Sequence, residues 1–345
     1  MLRLPEPRGP LTEGLFAALS RAVHELDPLS LPADAGDPLA DEDLQLALYC
    51  CYELHYRGIP EVDEAWEWEP SLLRLRRDLE TRFQKGLEQL TGPVLPEEVS
   101  PTEVDLALRA IAEADDGPSL SKHLERHGTL AQLHEFVVHR SAYQLKEADP
   151  HSWAIPRLSG PVKAALIEIE ADEFGGGRAE RVHAHLFAEA MDALGLDNRY
   201  GAYLDHIPAL TLATVNLMSM LGLHRARRGA IVGHLALFEM TSTIPNARYA
   251  KCVRRLGFGD DPRATTFFDE HVEADAVHEA VASVDLAGGF VKAEPHLAGD
   301  LLWGARTLAA IEARWAAELL GAWEEGRSSL RIPLGETEPE PAAAV

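Results

Sequence analysis

The spacing of the apolar residues most constrains the fold of this chain. Along almost the entire length, that spacing has the period of an α-helix. Strand signals are nearly absent, since no Asn-Gly turn occurs and alternation of β-branched residues is rare. Segments rich in proline and glycine separate the helical stretches. The sequence has no convincing internal repeat, so a solenoid is not expected. The sequence therefore predicts an all-α fold. Helices are expected near residues 11–26, 42–56, 70–90, 102–114, 130–147, 160–173, 178–194, 203–222, 228–243, 264–284 and 297–325.

The chain has 345 residues, of which 46% are hydrophobic, so it can bury a sizeable core as one large domain or two modest ones. Nearly all the histidines and acids of chemical interest follow residue 120. We predict an N-terminal helical region over residues 1–120, either a packing or dimerisation module or part of the same bundle. A core over residues 121–326 and a disordered acidic tail over residues 327–345 would follow it.

Acidic residues outnumber basic ones by 56 to 32, which gives a net charge of -24. This charge repels phosphate backbones, so binding to nucleic acid or to an anionic membrane surface is not expected. The N-terminus lacks the apolar run of a signal peptide, and the longest apolar stretch is too short to span a bilayer. Three cysteines allow no disulfide framework, which is typical of a reducing compartment. We expect a cytoplasmic protein.

The stretch "HVEADAVHEA" places His271, Asp275 and His278 four and seven residues apart. On an α-helix these offsets turn through about 400° and 700°, so the three side chains share a sector about 60° wide. Small and apolar neighbours make this the sector that normally faces a core. The spacing therefore predicts a group of polar side chains that points into the protein.

A second cluster lies in "EADEFGGGRAERVHAHLF", where Glu173, Glu180 and His183 fall within about 80° of one another on a continuous helix. Three glycines, residues 175–177, put that continuity in doubt because each glycine destabilises a helix interior by about 1 kcal/mol. The alternative is a solvated face on which Arg178 pairs with the acids.

A third segment, "YQLKEADPHSW", contains Glu147 shortly before Pro150. Because the residue before a proline avoids helical angles, the sequence predicts that the helix ends here. A carboxylate at a helix C-terminus opposes the macrodipole, and a metal cation would compensate for it. An exposed acid next to Lys146 is the alternative.

Together the three segments predict a first shell of seven ligands, enough for two metals that share carboxylate bridges. Imidazole and carboxylate donors without thiolate suit iron or manganese and leave zinc possible. Helix bundles commonly bring such ligands together in their cores, as ferritin-like di-iron proteins do. The predicted ligands are Glu147, Glu173, Glu180, His183, His271, Asp275 and His278.

Other polar residues on apolar helices receive more modest assignments. Glu135 and His139 lie four residues apart and are expected in a supporting shell or in the pocket. His234 and Glu239 are five apart and so do not share a helix face, which favours helix packing for both. The candidate pocket cations are Arg140, Lys251 and Arg254.

The combined pattern, Glu, then Glu-x6-Glu-x2-His, then His-x3-Asp-x2-His, resembles the iron-containing redox enzymes, the haem-oxygenase-like di-iron oxidases and oxygenases. The similarity covers roughly residues 42 to 310, including the helices between the ligand clusters. It implies a haem-oxygenase-like bundle of seven helices that binds no haem and holds two irons at the seven residues above. Glu135 is an alternative to Glu147, because the first-helix acid varies in position within the family.

The resemblance also implies that the reduced centre binds O₂ and forms a peroxo-di-iron(III) species, with the protein supplying geometry and a dry pocket. We expect oxidation of a small amine-bearing metabolite such as an amino acid, by N-oxygenation or oxidative C–C cleavage, in specialised metabolism. Oxidative decarboxylation of a fatty acid is an alternative. The family further implies an external electron donor and a homodimer.

Two readings come from other classes of protein. A dimetal hydrolase of the all-α His-Asp type would need an adjacent His-Asp pair as a bridging ligand, and none occurs. A non-catalytic helical scaffold would bury its histidines in hydrogen bonds and take up no metal.

Overall fold

We describe the fold from a computed structural model, which covers residues 3–29, 31, 36–114 and 117–335 but not the side chains of residues 275–277. All regular structure within these residues is helical, and no strand occurs among them. This confirms the predicted all-α fold. The α-helices are α1 (Pro10–Leu19), α2 (Glu42–Glu53), α3 (Pro70–Thr91), α4 (Val104–Glu113), α5 (Leu120–His127), α6 (Leu130–Gln144), α7 (Asp149–Ser152), α8 (Gly160–Glu173), α9 (His183–Ala193), α10 (Ala209–Leu223), α11 (Arg228–Val253), α12 (Arg263–Ala280), α13 (Gly289–Ala293) and α14 (Ala298–Glu324).

Several helix ends differ from the sequence-based expectation. Helix α11 continues through Pro245 to Val253 instead of ending near residue 243, because α5 and α12 pack along it and outweigh the local effect of proline. Helix α5 was not predicted, although Ser119 caps it by accepting a hydrogen bond from the Lys122 backbone N–H. Helix α6 ends at Gln144, earlier than the predicted residue 147.

One hydrophobic core extends through the described chain, from Leu11 to Leu330. The N-terminal helices contribute directly to it, since α2 packs against α10 and α3 packs against α14. The division near residue 120 stays a prediction. Residues 327–335 of the predicted tail pack against the body, and residues 336–345 lie outside the described residues.

Helices α11 and α14 touch backbone to backbone through a reciprocal pair of glycines. A Cβ on Gly233 would lie 1.9 Å from the carbonyl oxygen of Leu301, and a Cβ on Gly304 would lie 2.1 Å from that of Ala230. Any larger residue would force the two helices apart. This contact fixes the part of α11 that leads into Glu239.

No helix within the described ranges is both long enough and apolar enough to cross a membrane.

Candidate metal centre

Helix α8 delivers two acids to the centre of the bundle, Glu170 and Glu173, both of which are buried. The helix ends at Glu173 because the glycines at 175–177 all adopt positive φ angles, which glycine alone reaches easily. The chain then turns back so tightly that a Cβ on Gly175 would lie 2.6 Å from the backbone carbon of Arg181. His183 begins α9 and is buried.

The turn after α6 presents Glu147 to the same place. Ala148 has a φ of 70°, and it is the one residue other than glycine with a positive φ among the described residues. A strained residue of this kind persists where the surroundings hold it. Lys146 is buried on the other side of the turn, where it pairs with Glu53 and lies 4.4 Å from the centroid of the Tyr56 ring. Glu147 therefore points into the cavity, while Lys146 is held on the opposite side of the turn by Glu53.

Helix α12 contributes two buried histidines whose second nitrogens are already engaged. His271 Nδ1 lies 2.7 Å from the carbonyl oxygen of Phe267 and donates to it, so Nε2 carries the lone pair of the ring. That Nε2 lies 3.5 Å from Glu147 Oε1. His278 Nε2 lies 2.9 Å from Asp172 Oδ2, which leaves Nδ1 facing Glu239 Oε2 at 3.3 Å. Both rings are oriented for a further partner.

Glu239 is the residue of this centre that the sequence analysis assigned to helix packing. It lies on α11, is 5% exposed, and faces His278. The spacing of five residues between His234 and Glu239 gave no shared helix face. The sequence signal for Glu239 is instead that it is a single carboxylate in the apolar run "GHLALFEM". His234 instead contacts His151, with ring nitrogens 3.2 Å apart.

The buried donors form two groups that could each hold a metal ion, with all ligand atoms of a group within 4.8 Å of one another. Glu173 is common to both groups, which is the arrangement expected of a bridging carboxylate. The first group is Glu147, Glu173, His183 and His271, and the second is Glu173, Glu239 and His278.

Four buried atoms of these groups have no hydrogen-bond partner: Glu147 Oε2, Glu173 Oε2, His183 Nδ1 and His278 Nδ1. Buried polar atoms are almost always hydrogen-bonded, and an unpartnered one destabilises the fold by roughly 1–3 kcal/mol. A cation in each group would give these atoms a partner. Carboxylate and imidazole donors are those that iron and manganese accept, so the residues fit such an ion.

The sequence profile of the iron-containing redox enzyme family matches residues 134–313, which include every residue of both groups. This match spans more than half of the 345 residues. The chain belongs to the iron-containing redox enzyme family. A search of curated proteins finds no match.

The electrostatics of this redox enzyme favour a cation at the two groups. Burial raises the pKa of Glu147 and that of Glu239. Burial also opposes ionisation of Glu173, but His183 and His271 outweigh it and hold the pKa of Glu173 below its usual value. Against burial, Glu239 raises the pKa of His278 to about 9. A metal ion at these groups would displace the protons that otherwise balance their charge.

A cavity adjoins the two groups and is lined by residues of α6, α7, α8, α11 and α12 and of the turn after α6. Its wall beyond the metal-binding residues consists of aromatic, apolar and hydroxyl groups and one more carboxyl, that of Glu170. Ser152 Oγ donates to Glu170 Oε2 at 2.9 Å. Burial raises the pKa of Glu170 to about 8 and lowers that of His151 to about 4. The remaining lining residues are Tyr143, Ala148, Leu235, Phe238 and Ser242.

The structure brings together five of the seven predicted ligands: Glu147, Glu173, His183, His271 and His278. Glu180 lies at the surface, in a short 3₁₀ turn (Ala179–Arg181), because the glycines interrupt the helix assumed for it. The side chain of Asp275 is outside the described part of the chain.

The predicted supporting residues lie away from the cavity, and none of them lines it in the described structure. Glu135 accepts hydrogen bonds from Trp323 Nε1 and from Ser329, and His139 contacts Ser329 as well, so both tie the C-terminal segment to α6. The three predicted pocket cations form ion pairs instead. Arg140 pairs with Glu312, Lys251 with Glu125 and Arg254 with Asp269.

Proposed function

We propose that this iron-containing redox enzyme is a non-haem di-iron oxidase or oxygenase that uses O₂ to oxidise a small amine-bearing metabolite, such as an amino acid. The reaction would be N-oxygenation or oxidative C–C cleavage. One observation carries the proposal of two ions: two groups of buried donors share Glu173, and four of their atoms lack hydrogen bonds. A single ion would leave one group unsatisfied.

The first ion would be held by Glu147, Glu173, His183 and His271, and the second by Glu173, Glu239 and His278. Manganese would accept the same donors. When bound, reduced iron supplies the activation of O₂ and the oxidising power, which amino-acid side chains lack.

The surrounding residues orient these donors and keep the site dry. Phe267 fixes the tautomer of His271 through its backbone carbonyl, and Asp172 does so for His278. Leu235 and Phe238 cover the cavity side of the cluster with apolar surface. Electrostatic interactions are stronger where such surface excludes water.

Glu180 and Asp275 are proposed as further ligands. For Glu180 this requires residues 174–182 to rearrange, because its side chain is exposed. In metal-loading experiments, Glu180→Gln compared with Glu239→Gln distinguishes the two acids. Weaker metal binding in Glu180→Gln alone would favour the rearranged segment, and weaker binding in Glu239→Gln alone would favour the arrangement described above.

The proposal includes an external electron donor, because the oxidised centre must be reduced between turnovers. It also includes a homodimer, for which sedimentation of the purified protein is the direct measurement.

The test is anaerobic loading with Fe(II), followed by exposure to O₂ in a stopped-flow spectrophotometer. We expect about two irons per chain and a transient absorption band in the visible region. His278→Ala should lose iron and the band, whereas His185→Ala, at an exposed histidine, should keep both. A chain that takes up no iron, or a His278→Ala variant identical to the unaltered protein, would contradict the proposal and favour a non-catalytic scaffold.

A further inference from the structure

Glu170 is a buried acid of the cavity that neither metal-binding group uses. It lies one helical turn before Glu173 on α8, lines the cavity, and is 3% exposed. Its one described hydrogen bond comes from Ser152 Oγ. It forms no ion pair with a lysine, arginine or histidine among the described residues, and the charged groups that raise its pKa are other acids.

The rest of the cavity wall offers no cation to balance this carboxyl. No lysine or arginine lines it in the part of the chain that the structure describes, and burial keeps His151 neutral. Tyr143 and Phe238 stand edge to face, with ring centroids 5.7 Å apart. Aromatic faces of this kind attract cations.

Metal ions would compensate for the acids of the two groups but not for Glu170. Burial favours the protonated form of Glu170, and a cation that enters the cavity would take the place of that proton. An anionic group placed against Glu170 would meet another carboxyl and no lysine or arginine of the described cavity wall. The unmatched group therefore indicates the charge of the molecule that enters the cavity.

We propose that Glu170, held by Ser152, binds the positively charged nitrogen of the substrate, so that the enzyme accepts protonated amines or guanidines and rejects carboxylates such as fatty acids. This inference rests on the proposed function, because it assigns a role at the same centre. The bound nitrogen lies one helical turn from Glu173, next to the metal site. Tyr143 and Phe238 enclose the cation from the cavity wall.

The experiment measures binding by calorimetry to the iron-loaded enzyme without O₂, with three probes of equal length: propylammonium, propanol and propionate. We expect propylammonium to bind at least about tenfold more tightly than propanol, because a hydrogen bond to a charged group is stronger than one to a neutral group. Propionate should not bind. Glu170→Gln should reduce the preference for propylammonium to within about twofold, and Ser152→Ala should reduce it in part.

Glu168→Gln is the matched control, since Glu168 is an exposed acid on the same helix and should keep the full preference. The proposal is overturned if propylammonium fails to bind, if propanol or propionate binds as tightly in the unaltered enzyme, or if Glu170→Gln keeps the preference. The comparison of probes in the unaltered enzyme needs no variant, so a misfolded Glu170→Gln would not rescue the idea.

Iron content and O₂ consumption, measured on the same samples, separate this inference from the proposed function. An enzyme that holds iron and consumes O₂ but shows no preference among the probes contradicts the role of Glu170 alone. An enzyme that takes up no iron contradicts the proposed function itself.

Discussion

His183 Nδ1 lies 2.9 Å from Glu173 Oε2, yet neither atom has a hydrogen-bond partner. The distance is that of a hydrogen bond, but the direction is not, and both residues belong to the first group of donors that could hold a metal ion. This is how ligands are placed around an ion. Glu173 also belongs to the second group, so it is the one residue that the two groups have in common.

Replacing Glu173 should therefore impair both metal sites, whereas Glu147 and Glu239 each serve one. Glu173→Gln is expected to bind less than about one iron per chain, and Glu147→Gln or Glu239→Gln to keep about one of two. The measurement is iron content by mass spectrometry after anaerobic loading and gel filtration. Full iron content in Glu173→Gln would show that the two groups do not share a bridging ligand.

Asp172 is expected to tune the second site without ligating it, since it holds the distal nitrogen of His278 at 2.9 Å. Asp172→Asn should weaken binding of the second ion by about tenfold to a hundredfold, the range observed for partners of ligating histidines. A titration with Fe(II) under anaerobic conditions measures it. Glu189→Gln, which alters a carboxylate–histidine pair on the surface with His185, should change nothing; equal effects of the two variants would contradict the assignment.

His139 should make the protein less stable in acid. Burial lowers the pKa of His139 to about 3, whereas an unfolded chain protonates the same ring below about pH 6.5. Between these values only the unfolded state binds the proton. The free energy of unfolding therefore decreases as the pH is lowered, by up to about 1.4 kcal/mol per pH unit for this group. Urea unfolding at pH 7, 6 and 5 measures the slope.

His139→Gln should flatten that dependence on pH, and His185→Gln, at an exposed histidine, should leave it as it is. The substitution should also lower stability at pH 7 by about 1 kcal/mol, because the ring contacts Thr211 Oγ1 and Ser329 Oγ. An unchanged slope in His139→Gln would assign the acid sensitivity to other groups, such as His151.

Lys146→Met should lower the free energy of unfolding strongly, because it leaves Glu53 buried without a cation. Tyr200 OH donates to Glu53 Oε2 at 2.6 Å but cannot neutralise it. Removing one partner of a buried ion pair lowers the free energy of unfolding by about 3–5 kcal/mol. Adding Glu53→Gln should restore much of this loss. Urea denaturation measures both variants, and a double variant no more stable than Lys146→Met would show that the lysine acts through packing.

The shared inward position of His271 and His278 on α12 could be predicted, because spacing within one uninterrupted helix is fixed by geometry. His271 and His278 needed only the rule that offsets of seven share a face. The same rule fails for Glu180, because positive φ angles at residues 175–177 end the helix on which the spacing was counted. Glu147 lies inward as predicted, but in a turn beyond α6 and not at the end of a helix.

Glu239 could not be placed from spacing, because its partners lie on other helices. Periodicity within "GHLALFEM" shows which face of α11 is apolar, but only the packing of α8 and α12 against the bundle brings Glu173 and His278 to that face. Its neighbour Glu170 was not singled out at all. For both acids, the informative signal is burial of a charge without a sequence-local partner, and burial is a property of the folded chain.

The glycine contact between α11 and α14 gives the cavity one immovable side. Gly233 and Gly304 bring the main chains of α11 and α14 together without side chains that could repack. The helix that carries Glu239 is therefore held in place against α14. The facing side is α8, which carries Glu170 and Glu173 and ends in three consecutive glycines. A movement of α8 that widens the cavity would therefore carry Glu170 and Glu173 together, the acid proposed to bind the substrate's charge and the acid common to both metal-binding groups.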